Sequence, residues 1–265
     1  MTLETLDIII ILSYFVLIFI ITYFIPKSKT YLEYTIANKK ISMPLIFVSL
    51  TATYIGAGYS LGFVTKGFNS GLFFFILTLG FGAQLILSGK YIIPKLRKFP
   101  NCYTVGDIMG QIFGKHVQIL TGLISVSFLI GISSVLVKMG GSILSTITNI
   151  PLLPSILIFT IITTTYIYKS GINGTIFTDR FQFGFIILIL PMIITFLLIK
   201  NPINFSQFTQ TAINLTSNTF TKTSYFGGLA LLLSFLLGET LIPPYVNRAL
   251  AADSDKSAKN GFIYA

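Results

Sequence analysis

Long apolar runs separated by short polar, mostly basic stretches set the pattern of the chain. Runs at roughly residues 8–25, 44–65, 71–93, 117–148, 154–168, 175–199 and 227–247 approach or exceed the ~20 residues a helix needs to cross a bilayer, and they predict seven transmembrane helices. From about residue 257 the chain reads as the start of a further helix. Glu4 and Asp7 precede the first run and no small-residue cleavage site follows it, so it reads as a retained span and not as a signal peptide. Residues 201–226 are rich in Asn, Thr and Ser and predict a polar external connection. TVGD at 104–107 is a capping box that opens a short helix, TVGDIMGQIFG, before the fourth span.

Composition agrees with a membrane protein. Hydrophobic residues make up 53% of the chain and charged residues 10%, against about 25% charged in a soluble domain, so the chain lacks the polar surface to face water on all sides. The net charge of +10 raises the question of nucleic acid, but the basic residues form no stripe on a folded face, and no nucleic-acid partner is expected. Charge instead reports topology. Fourteen Lys and Arg fall after spans one, three, five and seven, and four fall on the other side. That asymmetry places the amino terminus outside and the carboxyl terminus in the cytoplasm, in a cell inner (plasma) membrane. The single cysteine, Cys102, excludes an internal disulfide.

Two spans carry unusual interiors. The second contains TATYIGAGYSLG (51–62), with three glycines in an apolar setting; each costs roughly 1 kcal/mol against alanine in a helix. A nucleotide-binding glycine loop would need a preceding strand and an amphipathic following helix, and neither flank fits. Close helix packing through Gly58 and Gly62 is a second reading. A third is a discontinuous helix, tolerated at membrane depth only where it lines a cavity or binds something. The seventh span breaks in the same way at GETLIPP (238–244), with two prolines and the acid Glu239 near mid-membrane. With the first span set aside as peripheral, the interrupted helices are the first and sixth of the remainder. That is the spacing of a five-plus-five inverted repeat, and it favours the discontinuous-helix reading.

At these residues the chain resembles the sodium:solute symporter family of sodium/proline, sodium/pantothenate and sodium/glucose carriers. The resemblance rests on TATYIGAGYSLG followed by GFNSGL, on YTVGDIMGQIFGK, on SGINGTIFTDRFQ (170–182) and on RALAADSDKSA (248–258), in that order along essentially the whole chain. It implies an all-α membrane protein with a leucine-transporter-like inverted-repeat bundle, treated as a single transmembrane transporter domain over 1–265. Residues 8–25 would be the peripheral helix, 44–199 the first five-helix repeat and 227–265 the start of the second. The family runs to at least ten core helices, so the chain is expected to be a C-terminally truncated member, the front part of a carrier whose other half is missing.

The resemblance also implies site residues. Sodium would be held by the backbone carbonyls of Ala52 and Ile55, with no further metal or cofactor. The solute would meet Thr53, Gly56, Ala57 and Gly58 on one side and Glu239 and Thr240 on the other. Asp179 and Gln182 would form a gate or ion exit, with Asp179 paired to Arg180 or a nearby lysine as the structural alternative. Tyr54 stands where the sodium/proline carriers have an aspartate. The function implied is sodium-coupled symport of a small organic solute, without enzymatic chemistry: no catalytic triad, metal-ligand spacing or P-loop is found. A truncated, inactive fragment of such a carrier and the membrane sensor module of a signalling protein are the alternatives.

Overall fold

The computed structural model describes residues 5–56, 62–168, 170–202, 204–222 and 225–265. The described residues are overwhelmingly helical and contain no sheet; one isolated parallel bridge joins Ile41 and Ala252. A first helix, α1 (Thr5–Phe24), is followed by the short α2 (Tyr31–Ile36) and a 3₁₀ turn at Ala37–Lys39. Next come α3 (Met43–Tyr54), α4 (Val64–Ser70), α5 (Leu72–Leu87) and α6 (Ile93–Leu96); a π-helical turn at Ser88–Ile92 joins the last two into one rod. The capped α7 (Val105–Phe113) leads into α8 (Lys115–Thr148), which is followed by α9 (Leu152–Tyr168) and α10 (Gly171–Lys200). The chain ends with α11 (Phe205–Lys222), α12 (Tyr225–Leu237), α13 (Pro243–Ala251) and α14 (Asp255–Tyr264).

Among the described residues, three rods, Leu72–Leu96, Lys115–Thr148 and Gly171–Lys200, are long and apolar enough to cross a membrane unaided. The remaining apolar helices are shorter, including Met43–Tyr54 and Phe226–Leu237. Large aliphatic side chains stand exposed along the rods, as with Leu188 at 71% and Ile199 at 76%. In water such surface would be unfavourable; in lipid it is the ordinary outer face of a helix.

The best-packed region lies at one end of the molecule. There α2, α3, α6, α7, α13 and α14 converge on a core that includes Ile36, Ile46, Leu50, Ile93, Val246 and Phe262, each 2% exposed or less. Close approach is made possible by small residues: a Cβ on Gly261 would stand 2.6 Å from Ile46 Cγ2, so α14 seats on α3 only with glycine there. Lysines and arginines are concentrated at this end.

Local chemistry explains the helix boundaries that matter. The Thr104 side chain accepts from the Asp107 N–H at 3.1 Å while the Asp107 carboxylate accepts from the Thr104 N–H at 3.0 Å, so the capping box forms as predicted and starts α7. Pro243 and Pro244 occupy the first positions of α13, where a missing N–H costs nothing. The same prolines that stop α12 from continuing thus begin the next helix. Residues 201–226, expected as a polar connection, hold the 18-residue α11, whose helical form was not expected.

Candidate functional site: two interrupted helices and a buried ion pair

Both predicted interruptions are present. α3 ends at Tyr54, and the Ile55 N–H closes its last turn on the Thr51 carbonyl at 3.0 Å. The carbonyls of a helix's last turn have no intrahelical partner, and Ala52 belongs to that turn, with Ile55 as the cap. Gly56 follows, half-buried and non-helical, and helical structure is described again from residue 62, leading into α4. Ala57 and Gly58, expected to touch solute, lie outside the described residues. The second interruption separates α12 from α13. The Gly238 N–H bonds the Ser234 carbonyl at 2.8 Å, and the Thr240 hydroxyl donates to the freed Leu237 carbonyl at 2.9 Å. Glu239 sits between these two caps.

The half-helices α3 and α13 face one another and carry two polar clusters. In the first, the Tyr245 hydroxyl donates to Glu239 Oε2 at 3.0 Å. The Tyr245 ring stacks on Tyr54 with centroids 4.7 Å apart and an interplanar angle of 18°. The Tyr54 hydroxyl in turn donates to Gln84 Oε1 at 3.2 Å, on α5. The break of one helix is thereby joined to the break of the other through two stacked phenols.

The second cluster lies three residues further along α13, on the same helical face. Arg248 Nη2 donates to Asp179 Oδ2 of α10 at 3.0 Å and to Thr53 Oγ1 at 2.8 Å. Arg248 Nε donates to Ser49 Oγ at 2.7 Å, and Nη1 to the Pro244 carbonyl at 3.0 Å. Ser49 completes the ring by donating to the same Asp179 oxygen. Ser49, Asp179 and Arg248 are all buried. A buried charge pair survives only when its remaining hydrogen-bonding capacity is used, and here the guanidinium has partners on all three nitrogens. Ser49 and Thr53 are one turn apart, so α3 presents both hydroxyls to the same arginine.

This arrangement changes the expectations in two respects. Asp179 pairs with Arg248, 69 residues away, and not with the adjacent Arg180. Gln182, one turn along α10, does not join it: its amide donates to the Tyr14 hydroxyl of α1 at 3.4 Å. Ser49, Gln84, Tyr245 and Arg248 were not foreseen in the site. Arg248 was visible as a basic residue closing a membrane span, but its direction was not. Thr53 is present at the site with its hydroxyl already engaged by Arg248 and by the Ser49 carbonyl.

A second arginine stabilises the far end of α13. Arg97, just past α6, donates through Nη1 to the carbonyls of Ala249 at 2.6 Å and Ala252 at 3.0 Å, and through Nε to Asp255 at 2.6 Å. It therefore caps α13 and holds the start of α14. Beside it the Ile41 N–H bonds the Ala251 carbonyl at 3.0 Å and the Asp253 N–H bonds the Ile41 carbonyl at 2.9 Å. The segment that leads into α3 is tied in this way to the segment that leaves α13.

These features define a multi-pass all-α membrane protein built around two interrupted helices that touch. The sodium:solute symporter family matches residues 34–265, and the chain belongs to that family. It is also similar to a "Sodium/glucose cotransporter" of Vibrio parahaemolyticus, with 28% identity over 163 residues, 61% of this chain and 30% of that protein.

Proposed function

We propose that the chain forms the ion- and solute-handling part of a sodium-coupled symporter for a small organic solute, working by alternating access in a plasma membrane, with the amino terminus outside. The observation that carries this reading is the direct contact of the two half-helices, α3 and α13, sealed on one side by the buried Arg248–Asp179 pair. In this reading the solute site at the breaks, beside the stacked tyrosines and Glu239, is closed toward the basic, cytoplasmic end. Opening it requires Asp179 on α10 to part from Arg248 on α13.

Sodium, as the coupling ion, is a hard cation that takes carbonyl and carboxylate oxygens. In this reading the carbonyls of Ala52 and Ile55 supply two of them, with no formal charge. Two oxygens are too few for a desolvated ion, and the remainder are proposed to come from side-chain hydroxyls of a further helix. Thr53, Gly56, Ala57, Gly58, Glu239 and Thr240 are proposed as the solute contacts; Asp179 is proposed as the gate, and Gln182, bonded to Tyr14, as an ion-exit residue one turn along the same helix.

The test is uptake of ²²Na⁺ into proteoliposomes holding the protein. Expected is a saturable, gradient-dependent flux that Asp179→Ala alters while the protein stays inserted. A flux indistinguishable from empty vesicles, for a protein shown to be inserted and folded, would remove the carrier reading.

A further inference from the structure

Glu239 leaves one charge at the breaks unbalanced. Its carboxylate accepts from the Tyr245 hydroxyl, a neutral donor. The ion pairs among the described residues are Arg97–Asp255 and Arg248–Asp179, so no cationic side chain described lies within ion-pair distance of Glu239. Residues 57–61 at the facing break, Ala, Gly, Tyr, Ser and Leu, contain no cation either. Asp179, the other acid at the site, is already neutralised by Arg248. An ionised carboxylate at membrane depth with no counter-charge is costly, so a mobile positive partner must balance it: a proton, a metal ion or the ammonium group of a solute.

The surroundings select among these. The Tyr245 ring stacks on Tyr54, and Tyr54 meets Phe81 edge-on at 6.2 Å. Phe81 lies against Phe235 at 4.6 Å, and Phe235 is one helical turn before Glu239. Aromatic faces attract organic cations, which shed water easily, far better than they replace the oxygen shell of a small metal ion. The Ser234 and Leu237 carbonyls beside Glu239 already accept from the Gly238 N–H and the Thr240 hydroxyl, and beyond them the surroundings are aromatic.

We infer that Glu239, with the Tyr54–Tyr245 stack and Phe81 beside it, is the recognition site for an organic cation, a small substituted ammonium, and that this cation is the transported solute. The inference rests on the carrier reading above and adds the charge of the cargo.

The test is equilibrium dialysis of the purified full chain against radiolabelled tetramethylammonium. Expected is saturable binding, weakened roughly tenfold or more by Glu239→Gln, retained in Tyr245→Phe, which keeps the ring, and not displaced by tert-butanol, which has similar bulk and no charge. Glu239→Gln preserves shape and the acceptor for Tyr245, and its thermal midpoint serves as the check on folding. Absent binding, equal binding by Glu239→Gln, or equal competition by tert-butanol overturns the inference. Stoichiometric displacement by sodium also overturns it and makes Glu239 an ion ligand. Sodium flux without tetramethylammonium binding leaves the carrier reading intact and sinks the cation reading. Glu239-dependent binding without any sodium flux does the reverse.

Discussion

Arg248 and Asp179 meet at 3.0 Å in the interior of the protein, 69 residues apart, with Ser49 bonded to both. The pair joins α13 to α10 directly, and α3 is drawn in through two hydroxyls. Removing one partner of such a pair strands a buried charge, at a cost of about 3–5 kcal/mol. Asp179→Ala should therefore lower the thermal midpoint in detergent substantially. Replacing both residues together, Asp179→Leu with Arg248→Met, should recover most of that loss. A single variant that melts with the wild type would show that the pair is not closed in the detergent-solubilised protein.

Arg97 and Asp255 form the other ion pair, and its two halves should behave differently. Asp255 is 67% exposed, whereas Arg97 is 10% exposed and also caps the α13 carbonyls. Exposed pairs contribute about 0–1 kcal/mol, while orphaned buried carbonyls cost about 1–3 kcal/mol. Asp255→Ala is expected to change stability little and Arg97→Ala to reduce it by about 1–3 kcal/mol. Chemical-denaturation curves of the two variants give the comparison; equal losses would mean that the Asp255 contact, not the cap, carries the effect.

The contact of α8 with α9 turns on Gly141. A Cβ there would stand 2.7 Å from the Ile156 backbone Cα. Gly141→Ala should push the helices apart and cost about 1–3 kcal/mol, as overpacking does. Gly131, on the same helix, has open space around its Cβ position, and Gly131→Ala should be neutral or mildly stabilising through helix propensity. Melting the two variants side by side separates packing from propensity.

Cys102 lies between α6 and α7, outside the spans, and is 1% exposed. Burial pushes its thiol above the ordinary range and the charge of Asp107 adds to that, against a smaller opposing effect from Lys39. A raised pKa means less thiolate at neutral pH, and thiolate is the reacting form. Maleimide should label the folded protein slowly at pH 7 and the detergent-unfolded protein fast. Rapid labelling of the folded state would show that this end of the molecule opens.

Much of this was legible in the chain. Both interruptions announce themselves locally, through Gly56 and its neighbours and through Pro243, Pro244 and Glu239, because glycine and proline act on their own stretch of backbone. The Thr104–Asp107 box is likewise a four-residue feature. What escaped was the pairing across distance: nothing near Asp179 names Arg248, and the adjacent Arg180 is the nearer candidate by sequence. Gln182 sits one turn from Asp179 and yet bonds Tyr14 of α1, because residues one turn apart lie at different heights along α10 and meet different neighbouring helices. The helix α11 escaped for a different reason, since Thr, Asn and Ser are indifferent helix formers and their polarity reads as a loop.

The backbone tie between Ile41 and Ala251–Asp253 has a consequence for how the protein is made. At 12 residues α3 is about 18 Å long, well short of the ~30 Å hydrocarbon core. Its buried face is completed by α10, α13 and α14, with Gly261 of α14 against Ile46. During synthesis this half-helix leaves the ribosome some two hundred residues before those partners exist. Its polar end and unpaired carbonyls must wait in the insertion machinery, or against provisional neighbours, until α13 and α14 arrive. The first broken helix is thus among the earliest segments translated and among the last to reach its final surroundings.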